Sequence, residues 1–424
     1  MSKWVYSWKR ITRRMWFRAS VYGILGVATA LAGAFTKFLL PSGIAGKIGA
    51  DSVGNILGIL AASMLTVTVF SLSTMVSAYG AASSAATPRA ARLLIEDTRA
   101  QSALATFMGA FLYSIVGLIA LSTGIYGDSG RLVLFGTTIA VIVLITVTLL
   151  RAIEQLSRFG RMAETVNLVE EATRRAMQGR ASDLWLGCTP GDDIPPNGIA
   201  LHAERIGYVE HLDTGSLSEL AEEHGLKLWL NCMPGAFMTP DRPLLRSDLP
   251  LDESMAERAR SAFAIGDARS IDGDPRYGLV VLTEIALRAM SPAVNDPGTC
   301  IDIIGTSVRL LCGWADKRGR AEAPDIRYPR LTLPTLLDAD LFDDVFPLIG
   351  REGAGAIEIG IRLQKAFSAL AATGYPPFAQ VAHAQAELAL RRALQKLEFE
   401  PDRKRLREVA RQVNGLALKD DAGA

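Results

Sequence analysis

Two aspartates that each stand directly before a proline are the residues best placed to do chemistry. Asp274 precedes Pro275 and Asp296 precedes Pro297, inside the run DGDPRYGLVVLTEIALRAMSPAVNDPGTCIDIIGTSVRLL at 272–311. A carboxylate at such a place accepts the unpaired N–H groups of a helix's first turn, and proline lacks the N–H that would go unused. One reading is therefore a helical hairpin with two capped starts. Its first helix ends at Ser291-Pro292, because the residue before proline avoids the α region. The other reading is that Asp272, Asp274, Asn295 and Asp296 converge on a divalent ion, or that the helix N-termini hold an anion. The sequence leaves both open.

A second group lies in an apolar stretch. Asn55, Ala62, Thr66, Ser73 and Ser77 recur at intervals that place them on one stripe of a helix, with Ser63, Thr68, Ser71 and Thr74 nearby. Small and hydroxyl side chains let helices approach closely and bond across or to their own i−4 carbonyls. The same stripe could line a water-filled path or a subunit interface. No carboxylate or arginine accompanies it, which argues against proton-coupled transport.

Other chemistries lack their residues. Cys188, Cys232, Cys300 and Cys312 form no CxxC pair, and His202, His211, His224 and His383 are scattered, so no zinc site and no disulfide is expected. The glycine-rich stretch 353–360 lacks a GxxxxGK[ST] arrangement, and there is no GxSxG elbow and no HExxH. No catalytic residue is assigned and no enzyme is expected. The formal charge of +1 in 424 residues, with basic residues nowhere interleaved with aromatics in the soluble part, gives no sign of nucleic-acid binding. No lysine stands in the Pro234-Gly235 turn, so no cofactor attachment is expected.

These residues must be positioned by two different kinds of structure. Four apolar stretches, at about 17–40, 53–79, 103–123 and 132–150, fill the first third, each near the roughly 20 residues that cross a bilayer. The first runs longer than a secretory core and reads as a retained anchor. Lys3, Lys9, Arg10, Arg13 and Arg14 precede it and Arg18 stands at its start, with no acidic residue among them, which predicts a cytoplasmic N-terminus. An even number of spans then returns the C-terminus to the same side. Gly23, Gly26, Ala30, Gly33 and Ala34 point to close packing of the first span. Thr87 and Pro88 predict a capped short helix between the second and third spans.

The expected fold is an α-helical transmembrane bundle of four helices plus a cytoplasmic α+β region. Its parts are a basic N-terminus at 1–16, the bundle at 17–152, a helical stalk at 153–185, a small β-rich, barrel-sandwich-like module at 186–248 and a mainly helical domain at 249–424. Met162, Val166, Val169 and Ala176 give the stalk an apolar stripe. Strand character appears at 199–212 and 226–232, with a helix at 216–224 between them and an extended YPRLTLP later. Helices follow near 339–348, 355–373, 377–397 and 402–416, the last with Asp402 read as its N-cap.

The run ALRAMSPAVNDPGTC resembles the signature ALRALSPxxNDPxTA of a bacterial family of predicted membrane proteins classed as a domain of unknown function. VFSLSTMVSAYG, TPRAARLLIEDTRAQSALATFMGAFLYSIVGL, GYVEHLD, PGAF and DPRYGL match in the same order. Members often have PGDF and SPR where this chain has Ala236 and Thr87. The resemblance implies a multi-pass inner-membrane protein with four spans and a cytoplasmic C-terminal region, and it supplies no activity. The function expected is that of an oligomeric channel or transport-related conduit regulated by its cytoplasmic part; the alternative is a membrane-anchored sensor or scaffold without conduction, and an enzyme at the cytoplasmic leaflet, for which no catalytic motif is found, stands only as a second alternative. The partners expected are the lipid bilayer and further copies of the chain, with an unidentified cytoplasmic protein or small ion left open.

Overall fold

A computed structural model of the chain describes residues 8, 11–12, 15–35, 50–95, 98–123, 128–156, 161–193, 195, 197–321 and 323–415. They form two compact units, Ser7–Thr165 and Val166–Ala424.

The first unit is helical: α1 (Met15–Phe35), α2 (Ala50–Ala85), α3 (Pro88–Ile95), α4 (Thr98–Ser122) and α5 (Asp128–Leu156). Three of these contain stretches long and apolar enough to cross a membrane, Ser52–Ala85, Ala100–Ser122 and Gly130–Glu154. The first expected span lies on α1, whose apolar stretch Trp16–Ala32 is shorter, and residues 36–40 fall outside the described residues. Helix α4 packs against α1, α2 and α5 and carries buried Phe107 and Tyr113. Gly26 and Gly109 let α1 and α4 meet backbone to backbone, since a methyl on Gly109 would lie 2.7 Å from the Tyr22 carbonyl oxygen. The Tyr113 hydroxyl joins Thr137 (2.8 Å) and Thr138 (3.0 Å) of α5, so a polar tip inside the bundle is satisfied. Thr87 caps α3 as its sequence predicts, accepting from Ala90 N at 3.1 Å.

Most of α6 (Met162–Ser182) belongs to the second unit, which takes up the chain at Val166, and residues 157–160 before this helix are outside the described residues. This helix is no bare stalk. Val166, Val169, Thr173 and Met177 are buried within the unit, and Glu170 takes a two-pronged ion pair from Arg309 (3.0 and 2.7 Å). The strands follow: β1 (Cys188–Pro190), β2 (Ile199–His202), β3 (Gly207–Leu212), β4 (Leu228–Leu230), β5 (Phe237–Met238), β6 (Pro243–Ser247), β7 (Phe263–Gly266) and β8 (Tyr328–Leu333). Between them stand α7 (Thr214–Glu223), α8 (Glu253–Ser261), α9 (Pro275–Ala289) and α10 (Pro297–Gly319).

One sheet has the order β1-β8-β4-β6-β2 and the other β5-β3-β7. Strand β8 is parallel to both β1 and β4, whereas β6 is antiparallel to β4 and β2. The β-rich part is therefore not a self-contained barrel-sandwich module at 186–248. Its first sheet is completed by β8 and its second by β7, both from later in the chain. The stretch read as one strand at 199–212 is two strands in different sheets. Alternation does hold locally: Leu228 and Leu230 are fully buried and Trp229 half-buried, and a single core of Val209, Leu217, Leu245, Phe263 and Leu331 underlies both sheets.

The remaining helices are α11 (Asp338–Asp343), α12 (Phe346–Glu352), α13 (Ile357–Ala371), α14 (Pro376–Lys396) and α15 (Glu400–Asn414). Phe342 packs edge-on to Phe378 (4.9 Å between centroids) and Phe346 to Phe367 (4.8 Å), an aromatic core under α13 and α14. Helix α15 starts at Glu400 with Phe399 before it and no side-chain cap. Asp402 lies inside its first turn, where its charge still complements the helix dipole.

Candidate functional site

Three of the runs singled out in the sequence meet in the second unit. Strand β3 carries GYVEHLD, and its pairing with β7 slips between Val209 and His211, which places Glu210 at a bulge. Val209 is held on both sides by the PGAF loop, donating to Ala236 O (2.9 Å) and accepting from Gly235 N (2.8 Å). Gly235 adopts φ +96°, and a side chain there would collide with the Asp274 carboxylate. Gly273 in turn lies against Pro234 and the Glu210 carbonyl. The backbone of each run thus needs the other two.

Asp274 is the centre of this contact and is 2% exposed. It accepts from Tyr277 N at 3.3 Å, capping α9, and its Oδ2 takes Arg269 Nε (2.7 Å) and Nη2 (2.6 Å). Arg269 also stacks 5.0 Å over the Tyr277 ring. Burial pushes the Asp274 carboxyl above its ordinary range, against the pull of Arg269 and the cap.

A residue that the sequence reading passed over completes the cluster. Arg180, on the last turn of α6, is 5% exposed, and its Nε and Nη1 have no acceptor among the described residues. Its Nη2 points at the Met233 sulfur, 3.4 Å away, beside the Pro234-Gly235 turn. Burial holds this guanidinium down to about 10, with Asp183 and Asp274 in Coulombic reach and pulling the other way. The signal was in the sequence. The buried stripe 166, 169, 173, 177 continues at i+3 onto residue 180, where an arginine interrupts it.

The four acidic and amide residues proposed to converge do not come together. Asp272 is exposed beside Asp274 at the start of α9, whereas Asn295 and Asp296 follow its far end, about 22 Å away at 1.5 Å per residue. Asp296 caps α10, accepting from Thr299 N at 3.0 Å and from its hydroxyl, and those hydrogen bonds hold its carboxyl below the ordinary range. Asn295 takes φ +49° in the exposed turn before it. Among the described residues no group of three or more His, Cys, Asp or Glu could hold a metal ion. Cys188, Cys232 and Cys300 are buried free thiols pushed up to about 12, by burial above all.

In the first unit, Asn55, Ala62, Thr66, Ser73 and Ser77 are all exposed. At 3.6 residues per turn they fall within about 60° of one another and about 180° from the buried stripe of Leu57, Met64, Thr68, Ser71 and Met75. Among the described residues, the polar face of α2 is therefore turned away from the packed side of its own bundle. Large apolar residues flank it, Ile59, Val69, Phe70 and Val76, each more than half exposed. Thr66 bonds back to Ala62 O at 3.0 Å, which leaves the hydroxyl satisfied.

A family described as predicted membrane protein, DUF2254, matches residues 12–369. Two uncharacterised proteins, one from Mycobacterium bovis and one from Mycobacterium tuberculosis, are each 26% identical over 270 residues, which covers 59% of this chain and 50% of each relative. The chain thus spans about half the length of the curated relatives it matches. No solved structure matches.

Proposed function

The chain belongs to this family of predicted membrane proteins, and on that premise we propose that it is an oligomeric membrane conduit whose copies meet around the polar face of α2. The observation that carries the reading is the direction of that face. Small and hydroxyl groups opposite the packed side of a spanning helix gain nothing from lipid tails, but they suit close approach of a second copy or contact with a water-filled path. Helix α1 serves as the first of four spans, and the basic residues ahead of it keep both termini in the cytoplasm of a bacterial inner membrane. The second unit then lies on the cytoplasmic side and acts as the regulatory part. No catalytic role is assigned.

Copy number in lipid nanodiscs, measured by native mass spectrometry, and flux of ions and small solutes from proteoliposomes test this together. Thr66→Leu and Ser73→Leu are expected to change both. A single copy in lipid, with no flux for any of several ions and solutes, overturns the reading. A membrane-anchored sensor or scaffold is the second reading, favoured by the size of the cytoplasmic unit and by the incompletely bonded Arg180 within it. It predicts unchanged flux alongside reproducible capture of a partner from native membranes.

A further inference from the structure

Arg180 is a buried cation whose hydrogen bonding the described residues do not complete. A guanidinium taken out of water is costly unless its N–H groups find acceptors. Here Nε and Nη1 have none among the described residues, and Nη2 has only the thioether of Met233, a weak acceptor. The carboxylates in Coulombic reach are committed elsewhere. Asp274 is held by Arg269 and the first turn of α9, and Asp183 by Arg327 and Gly187 N.

Two arginines of the same unit show what the Nε–Nη2 edge takes when its partner is part of the chain. Arg276 grips Asp344 with Nε at 2.7 Å and Nη2 at 3.1 Å, and Arg309 grips Glu170 with Nε at 3.0 Å and Nη2 at 2.7 Å. On Arg180 that edge meets a sulfur at Nη2 and no hydrogen-bonded oxygen among the described residues. Met233 is half-buried, and its unbranched side chain has three rotatable bonds, so it can leave the guanidinium without disturbing the backbone. Asp183, three residues along, has 36% of its side chain exposed, so solvent comes close to this end of α6.

We propose that Arg180 anchors a small-ligand site, in which the Met233 side chain swings aside and a carboxylate or phosphoryl oxyanion binds along the Nε–Nη2 edge. The Pro234-Gly235 turn and Asp274 border it. Such a pair is charge-assisted and two-pronged, the arrangement for which arginine is better suited than lysine. With Asp183 and Asp274 close by, a singly charged group is favoured over a multiply charged one. The site is internal to the second unit and independent of the α2 reading.

The test is titration of the full chain in nanodiscs with acetate and, separately, inorganic phosphate at constant ionic strength, with chloride as the control. The readout is the methyl NMR signal of Met233. A saturable shift with acetate identifies carboxylate chemistry and one with phosphate identifies phosphoryl chemistry. Met233→Ala, followed by calorimetric titration, is expected to bind the same anion several-fold more tightly, because nothing has to be displaced. Arg180→Lys is expected to weaken binding about tenfold and Arg180→Met to abolish it, since each loses the two-pronged contact. Arg180→Met should also leave the thermal midpoint unchanged or raised, as an apolar replacement removes an unpaired buried charge, whereas a structural arginine would lower it. Ser73→Leu should bind as the unaltered chain does. The proposal is overturned if neither anion gives a saturable response at millimolar concentration in the unaltered chain and in Met233→Ala, or if Arg180→Met binds as well as the unaltered chain. Met233→Ala retains the arginine, so it decides the matter even where Arg180→Met fails to fold.

Discussion

Replacing Gly235 by alanine should damage the second unit far more than the same change at Gly225, although both glycines have positive φ. At Gly225 (φ +67°) an added methyl meets nothing within 4 Å, so the cost is conformational, roughly 1–2 kcal/mol for an L-residue held in the left-handed region. At Gly235 (φ +96°) the same cost applies, and the methyl also runs into the Asp274 carboxylate. Asp274 must then shift, which weakens the cap of α9, worth about 1 kcal/mol, and the charge-assisted bonds to Arg269, worth about 1.5–3 kcal/mol. Partial relaxation leaves an expected difference of roughly 2–3 kcal/mol, equivalent to about 30- to 150-fold in an opening equilibrium at 1.36 kcal/mol per tenfold. Amide hydrogen exchange read by mass spectrometry measures this directly on the peptides covering β3 and residues 233–237. Gly235→Ala should exchange faster there by that factor relative to Gly225→Ala, while peptides of α13 and α14 stay unchanged. Equal exchange in the two variants would refute the argument that the PGAF loop is built around Asp274.

Two further outcomes follow from the same geometry. Under native conditions a maleimide should modify half-buried Cys312 first and leave Cys188, Cys232 and Cys300 intact, since burial pushes those three thiols up to about 12 and keeps them protonated; peptide mapping that found Cys232 labelled as fast would contradict the core under the two sheets. Asp296→Ala should cost about 1 kcal/mol and Asp296→Asn only a few tenths, because asparagine still caps. The aspartate's folded value is lowered, so its contribution is full above the unfolded value near 3.9 and is lost as pH falls through the lower folded one. Thermal midpoints measured down the acid range should therefore converge for the unaltered chain and Asp296→Asn, and parallel curves would remove the charge from the account.

Local signals in the sequence read well where one element carries the whole message. Thr87 before Pro88, Asp274 before Pro275 and Asp296 before Pro297 each start a helix, because capping needs only the first turn and a side chain next to it. The alternation of buried Leu228 and Leu230 with half-buried Trp229 is local in the same way. What it could not supply was the partner of each strand. YPRLTLP reads as extended, yet its position between β1 and β4, parallel to both, depends on contacts more than a hundred residues away. Strand pairing over that separation leaves no trace in period or composition.

Helix α2 sets the limit of periodicity more sharply. The stripe of Asn55, Thr66, Ser73 and Ser77 and the stripe of Met64, Thr68, Ser71 and Met75 both contain small and hydroxyl residues, and both keep helical spacing. Choosing which one packs requires knowing that α4 brings Phe107 and Ala110 against Met64. Arg180 is the converse case. Its place on a buried stripe is visible in the sequence, but the stripe predicts a neutral side chain, and only the assembled cluster of Met233, Gly235 and Asp274 turns the exception into a reason. A charge that a helix carries into a core without a carboxylate bonded to it among the described residues has to be answered by something, and the Arg276–Asp344 and Arg309–Glu170 pairs of this unit define the shape of the answer. Whatever binds there must bring an oxygen pair to the edge that Met233 now covers.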